Sequence, residues 1–272
     1  MEIRDSRRLT GTNLQIAGPA AIAEVAFSKD EDPERSVEKW RAELRRILPS
    51  YALENSEIFC RHYEGGAAIG FTAAIDMLYG ATEINEWAIA EANAALGYAE
   101  KPDQSKIKAL VEAEFDAERN PRMCALQAAA LSRNIPFLWD DDFVSVGYGE
   151  HSITWPTARL PEISEVPWDR CKKIPVALIT GTNGKTTTSR VLTRILCKAG
   201  YSVGNTSTDG VSVNEEFIER GDWTGTGAAR TVLRRDDVSA AVLESARGGL
   251  LRRGLGVESC DVAVVTNVAE DH

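Results

Sequence analysis

Thr180-Gly181-Thr182-Asn183-Gly184-Lys185-Thr186-Thr187 sets glycines, a lysine and hydroxyls in an order suited to holding a phosphate chain. Glycines let the backbone wrap an anion, a helix N-terminus favours negative charge, the Lys185 ammonium neutralises β and γ oxygens, and the Thr186 hydroxyl can hold Mg²⁺. Glu244 follows the apolar run Val238–Leu243, and a carboxylate there can reach a metal bridging ATP phosphates to an acceptor. An ion pair with Arg247, Arg252 or Arg253 is the competing role for Glu244. Asp271-His272 follows the run Val262–Val265, where a neutral imidazole can serve a second metal and a merely exposed histidine is the alternative.

These groups need elements to position them. Ile174-Pro175-Val176-Ala177-Leu178-Ile179 reads as a buried strand. Thr188 to Ala199 carries Val191, Leu192, Ile195 and Leu196 at helical spacing, and Gly200 closes it. Strand, glycine loop and helix together turn a short motif into a phosphate site, although the commonest P-loop pattern asks for glycine where Ile179 stands. Val238–Leu243 and Val262–Val265 read as second and third buried strands. The alternation predicts an α/β fold with a P-loop-type parallel sheet and right-handed crossovers. Ligands in such sheets bind outside the carboxyl ends of the strands, where Gly181–Thr186, Glu244, Thr266-Asn267 and Asp271-His272 all fall.

Ahead of this region the pattern predicts a smaller α+β domain over residues 1–155, joined by a proline-marked linker over 156–173 to the α/β domain of 174–272. Ala21–Phe27 is expected as a strand. Asp32 and Pro33 open a helix that carries Val37, Trp40, Leu44 and Ile47 on one face and stops at Pro49. Further helical patterns lie near 67–79, 83–96, 105–118 and 121–133, and Phe137–Trp139 with Phe143–Val146 suggest a small sheet.

Composition narrows the classes. A hydrophobic share of 43% and a charged share of 26% are those of a soluble globular protein. A net charge of −10 without a basic run argues against nucleic acid as a partner. With no apolar stretch of spanning length and no apolar leader, the expected location is cytoplasmic, away from membrane. Cys60, Cys124, Cys171, Cys197 and Cys260 are scattered and read as reduced, mostly buried thiols. Asp140-Asp141-Asp142 reads as a solvated turn rather than a metal site. His62 and His151 read as surface or core residues without a ligand role. Arg45-Arg46 and Arg234-Arg235 read as solvated helix faces, whereas Arg230 or Arg247 could contact an anionic substrate.

From residue 174 onward the chain resembles the Mur ligases, and within them the Mur-like ligase module of cyanophycin synthetases. The resemblance rests on Gly181–Thr187, Thr206–Gly210, Gly221–Gly225, Leu243–Leu255, and Cys260-Asp-Val through Thr266-Asn267 to Asp271-His272. It implies the central ATP-binding domain of a ligase that joins an acid to an amino acid, with ATP and Mg²⁺ as cofactors. ATP phosphorylates a carboxylate, and an amine then attacks the acyl phosphate. Carried onto this sequence, it implies catalytic roles for Lys185, Glu244 and His272, nucleotide contacts from Gly181, Thr182, Asn183, Gly184, Lys185, Thr186, Thr187 and Asn267, and metal ligation by Thr186, Glu244 and His272. The partners implied are a small-molecule or peptide carboxylate acceptor and an amino acid; a homo-oligomer is compatible with the sequence.

The first region is more distantly similar to the N-terminal part of cyanophycin synthetases, through Arg8–Asn13, with Thr12 where proline is usual, and through residues 134–149. The ATP-grasp module that follows there in that family has no counterpart here, so a single ligation is expected. The family pattern also implies more sheet, a later lysine and a closing C-terminal domain. On that ground the sequence reads as a truncated product, expected to bind nucleotide weakly and to lack efficient turnover. The alternative functions are a P-loop kinase or simple ATPase, disfavoured by the Glu244 block, and a nucleotide-binding or partner-binding remnant without ligase turnover.

Overall fold

The computed structural model describes residues 1–13, 15–246, 248–250 and 254–269. The chain divides into two compact units, Met1–Pro121 and Arg122–His272. Residues 122–155, which the sequence pattern groups with the first region, therefore pack with the second.

In the first unit, strands β1 (Glu2–Leu9), β2 (Ala20–Ala26), β3 (Ile58–Tyr63) and β4 (Gly66–Thr72) form an antiparallel sheet in the order β1-β2-β4-β3. It is accompanied by α1 (Pro33–Ile47), α2 (Leu78–Ala95) and α3 (Gln104–Glu118). Helix α1 starts where its sequence says it should. Asp32 accepts hydrogen bonds from the Glu34 and Arg35 backbone N–H groups at 3.1 and 3.2 Å, Pro33 occupies the first turn, and Val37, Trp40, Leu44 and Ile47 are buried. Asp32→Ala is expected to cost about 1 kcal/mol. Urea denaturation would show it, and an unchanged midpoint would refute the capping role. Inside the unit the Trp40 indole donates to Asn85 Oδ1 at 3.0 Å and the Asn85 amide donates to the Ile69 carbonyl, so one buried amide ties α1 and α2 to the sheet.

The helix expected near 67–79 is strand β4 over its first six residues. Ala67, Ala68, Ile69 and Phe71 are buried in a central strand flanked by β2 and β3, and this context overrides the helical propensity of alanine. Gly70 sits where a Cβ would meet the Ala21 carbonyl at 2.1 Å and the Phe59 ring at 2.8 Å. Helix α2 consequently starts at Leu78.

The second unit opens with α4 (Pro121–Ser132) and a three-stranded antiparallel sheet of β5 (Phe137–Trp139), β6 (Phe143–Val146) and β7 (Ile153–Pro156). The main sheet comprises β8 (Val176–Thr180), β9 (Val203–Ser207), β10 (Gly210–Val213), β11 (Glu216–Arg220), β12 (Ala240–Glu244) and β13 (Val262–Val265), in the order β11-β10-β9-β12-β8-β13. Strands β9, β12, β8 and β13 run parallel, while β10 and β11 extend one edge as an antiparallel meander. Helix α5 (Lys185–Lys198) packs Leu192 and Leu196 on one face against Ala177, Ile179, Val203 and Val242. Helix α6 (Thr226–Leu233) packs Ala228, Val232 and Leu233 with Val176, Ala241 and Leu243. The two sets of strand residues alternate, as two opposite sheet faces require.

Three expectations are corrected here. Strand β13 is not buried: among the described residues it pairs only with β8, and Val262 and Val265 are 52% and 59% exposed. Arg234 does not lie on a solvated face. Its guanidinium donates to Ser145 Oγ at 2.9 Å and to the Phe143 carbonyl at 3.0 Å and pairs with Asp140, so it pins the β5–β6 turn to the end of α6. The Asp140 side chain also accepts from the Asp142 and Phe143 N–H groups, which makes the acidic triplet a turn, as expected. Third, the cysteines are free thiols, but only Cys171 is buried and the other four are half-buried. Residues 156–173 form two short 3-10 turns held by bonds such as Trp168 Nε1 to the Ile163 carbonyl and Arg122 to the Leu160 carbonyl. Among the described residues no helix is long and apolar enough to cross a membrane.

Candidate functional site

The loop 181–184 joins the end of β8 to the first residue of α5. Gly181 takes φ +133° and Gly184 φ +83°, backbone conformations that other residues rarely adopt. Gly184 is also the N-cap of α5 and carries no side chain, so no side chain caps the first turn and the helix N-terminus faces the loop. Lys185 Nζ donates to the Gly181 and Thr182 carbonyls at 2.9 and 3.2 Å, which holds the ammonium over the loop.

Thr186 reaches across to β12. Its hydroxyl donates to Glu244 Oε2 at 3.0 Å and lies 3.1 Å from the Thr208 hydroxyl just past β9. Glu244 is 2% exposed, and its other oxygen, Oε1, is buried without a hydrogen-bond partner among the described residues. Burial pushes the Glu244 carboxyl above the usual carboxylate range, while the Thr186 hydroxyl and the Lys185 charge pull it back. A buried carboxylate with one orphaned oxygen, beside two threonine hydroxyls, is an oxygen donor set that fits Mg²⁺. That ion keeps several waters and completes its shell with substrate phosphates. Among the described residues no cluster of three or more His, Cys, Asp or Glu side chains converges, so no all-protein cage competes with this arrangement.

The segment after β13 straps the loop down. The Thr266 hydroxyl donates to the Asn183 carbonyl at 2.6 Å and the Thr180 carbonyl at 3.2 Å. The Asn183 N–H donates to Asn267 Oδ1 at 2.9 Å, and the Thr182 N–H to the Asn267 carbonyl at 3.1 Å. The Ala269 N–H donates to the Thr182 hydroxyl at 3.1 Å. Residues expected from three strand ends are thus brought together: Gly181 to Thr187, Glu244 and Asn267. Asn267 acts on the loop through its backbone and amide. Arg247, Asp271 and His272 lie outside the described residues. Arg230 stacks toward the Trp139 ring, 5.9 Å from its centroid. His62 stacks on Phe27, and His151 lies beside Glu150, both outside this cluster. The sequence pattern places Thr266 at this rim without a role and includes Thr208 only in the Thr206–Gly210 string; the structure gives both hydroxyls contacts in the site. The only signal of a role is a hydroxyl immediately beyond an apolar strand, and for Thr208 that strand is concealed by Asn205, Thr206 and Ser207.

The Mur ligase middle domain family matches residues 179–272, the stretch that holds the glycine loop, Thr186, Glu244 and the 266–269 strap. This stretch is similar to the Mur ligase middle domain. Cyanophycin synthetase of Geminocystis herdmanii (strain PCC 6308) is 54% identical over 106 residues, which are 39% of this chain and 12% of that relative. Dihydrofolate synthase/folylpolyglutamate synthase of Escherichia coli (strain K12) is 30% identical over 172 residues, 53% of this chain and 39% of the relative. UDP-N-acetylmuramoyl-L-alanyl-D-glutamate--2,6-diaminopimelate ligase of Wolinella succinogenes is 32% identical over 104 residues, 36% of this chain and 24% of the relative. The chain therefore spans only 12% of the length of the cyanophycin synthetases it matches. The α/β sheet with its parallel strands β9, β12, β8 and β13 is consistent with a Mur ligase middle domain.

Proposed function

We propose that residues 174–272 are the ATP-binding domain of an acid–amino acid ligase that works through an acyl phosphate. The observation that carries this reading is Glu244: a buried carboxylate held by the Thr186 hydroxyl directly beyond the glycine loop, with one oxygen lacking a hydrogen-bond partner among the described residues. Matches to three kinds of synthetase and ligase support it.

In this reading the loop N–H groups and the α5 N-terminus hold the β and γ phosphates, and Lys185 Nζ leaves its loop carbonyls to neutralise their oxygens. Thr186 and Glu244 would hold a Mg²⁺ ion, which would supply Lewis-acid charge neutralisation. A carboxylate oxygen of the acceptor attacks the γ-phosphorus, the bond to the β-bridging oxygen breaks, and ADP leaves with that electron pair. The amine nitrogen then attacks the acyl carbon, inorganic phosphate departs, and the nitrogen gives up a proton. Asn267 keeps the loop in shape throughout by accepting from the Asn183 N–H. The family resemblance implies a second-metal role for His272 and a contact with an anionic substrate for Arg247.

Glu244→Gln keeps the hydrogen bond from Thr186 but removes the charge. It is expected to shift the Mg²⁺ dependence of nucleotide binding at least tenfold upward, about 1.4 kcal/mol, while affinity for metal-free ADP changes little. Calorimetric Mg²⁺ titrations that superimpose for parent and variant would remove Glu244 from the metal site. The reaction class is tested by hydroxylamine, which traps acyl phosphates as hydroxamates. ADP release that ignores both acceptor and amine would instead mark a simple ATPase.

A further inference from the structure

A groove of about 580 Å³ lies between α5 and the β9–β11 meander, within the size range of small-molecule sites. We propose that it binds the body of the carboxylate acceptor, a zwitterionic amino acid or short peptide, with its reacting end toward Thr187. This rests on the ligase reading above and adds a place and a charge pattern for the acceptor.

One end of the groove opens at the phosphate loop. Thr187 lines it and follows Thr186; Ser207 lines it and precedes Thr208, whose hydroxyl lies 3.1 Å from that of Thr186. From there the groove runs along α5 toward the opposite end of β9. Its floor is polar: Asn205, Ser207 and Ser212 are each less than 10% exposed. Its walls are apolar, with Val191, Ile195 and Phe217 exposed by 55%, 58% and 39%. Aliphatic and aromatic walls over a floor of hydroxyls and an amide suit a molecule with methylenes on one side and hydrogen-bonding groups on the other. Thr193 also lines the groove, and its hydroxyl is buried without a partner among the described residues.

The charges define the ligand class. Arg190 pairs with Asp209 at 2.6 Å near the phosphate end. Arg194 pairs with Glu215 at 2.7 Å one helical turn further on, roughly 5.4 Å along α5. All four side chains are at least 38% exposed, so each pair is loosely held and readily exchanged for a ligand's charges. A ligand carrying only negative charge would meet Asp209 and Glu215, and one carrying only positive charge would meet both arginines. A molecule with both signs satisfies both ends.

Calorimetry with the zwitterionic dipeptide Glu-Lys, in Mg²⁺ and ADP, tests this on the full chain. The parent is expected to bind it at least tenfold more tightly than the doubly blocked, uncharged N-acetyl-Gln-Gln-amide. The double variant Arg194→Gln/Glu215→Gln, which leaves net charge unchanged, and Phe217→Ala are each expected to weaken Glu-Lys at least tenfold with ADP affinity and melting temperature unchanged. If a variant misfolds, amide chemical-shift changes in the parent decide: shifts at Val191, Ser212 and Phe217 on adding Glu-Lys support the groove, and their absence overturns it. Equal affinity in parent and variants, or equal affinity for Glu-Lys and N-acetyl-Gln-Gln-amide, also overturns it. A parent that binds ADP but not Glu-Lys refutes the groove alone, whereas one that binds no nucleotide refutes the reading beneath it.

Discussion

Lys185→Ala is expected to weaken Mg²⁺·ATP binding by more than tenfold, at least about 1.4 kcal/mol. Two effects act in the same direction. The variant removes the ammonium that the loop carbonyls of Gly181 and Thr182 hold over the phosphate position. It also removes a charge that keeps the Glu244 carboxyl from rising further above the usual range, so a neighbouring metal ligand becomes easier to protonate. The deficit should therefore widen as pH falls toward 5, because the variant's Glu244 takes up its proton at higher pH than the parent's. Lys185→Met, which keeps the apolar stem, separates charge from packing and should behave like the alanine variant. Calorimetry at pH 8 and pH 5.5 reads both predictions. Equal ATP affinity for parent and Lys185→Ala would remove the loop from nucleotide binding.

The glycine loop was legible because its local and global requirements coincide. The apolar run before it, the glycines within it and the helical spacing after it are all short-range signals, and strand β8 and helix α5 appear at those places. Glu244 was legible for the same reason, as the first charged residue after a run that the structure buries completely. Strand β9 was not. Val203-Gly204-Asn205-Thr206-Ser207 has one large apolar residue, and it is a strand because neighbours on both sides complete its backbone hydrogen bonds. Its buried polar side chains are satisfied locally: the Asn205 amide donates to Ser189 on α5 and to the Val242 carbonyl on β12. No periodicity announces such a strand, so Thr208 at its end went unassigned. Arg234 failed in the opposite sense. Its helical position and charge suggest solvent, and only the tertiary placement of the β5–β6 turn makes it a half-buried clamp. Strand β4 shows the same limit, since the alanines that favour a helix locally are what a crowded central strand can accommodate.

Gly181→Ala is expected to abolish measurable nucleotide binding, at least a hundredfold loss, and to cost roughly 2–4 kcal/mol of stability. The backbone at Gly181, with φ +133°, is strained for any residue with a side chain. Space is the second problem. A Cβ there would stand 2.1 Å from the Thr266 hydroxyl and 2.9 Å from the Asn267 carbonyl. Those are the groups that hold the loop, since Thr266 donates to Asn183 and Thr180 and the Asn267 carbonyl accepts from Thr182. The methyl group must displace the strap, and the strap is what shapes the loop. Gly184 provides the control. It also has positive φ, but nothing lies within 4 Å of its missing Cβ. Gly184→Asn, whose side chain tolerates the left-handed region, should cost only about 1 kcal/mol and preserve more of the affinity. A double-mutant cycle isolates the clash. Thr266→Ala clears the 2.1 Å contact, so in the Gly181→Ala background it should restore part of the lost stability, whereas alone it should destabilise by leaving the Asn183 carbonyl without its donor. If Gly181→Ala and Gly184→Asn lose the same affinity, backbone strain alone explains the loop, and the strap from β13 has no part in shaping it.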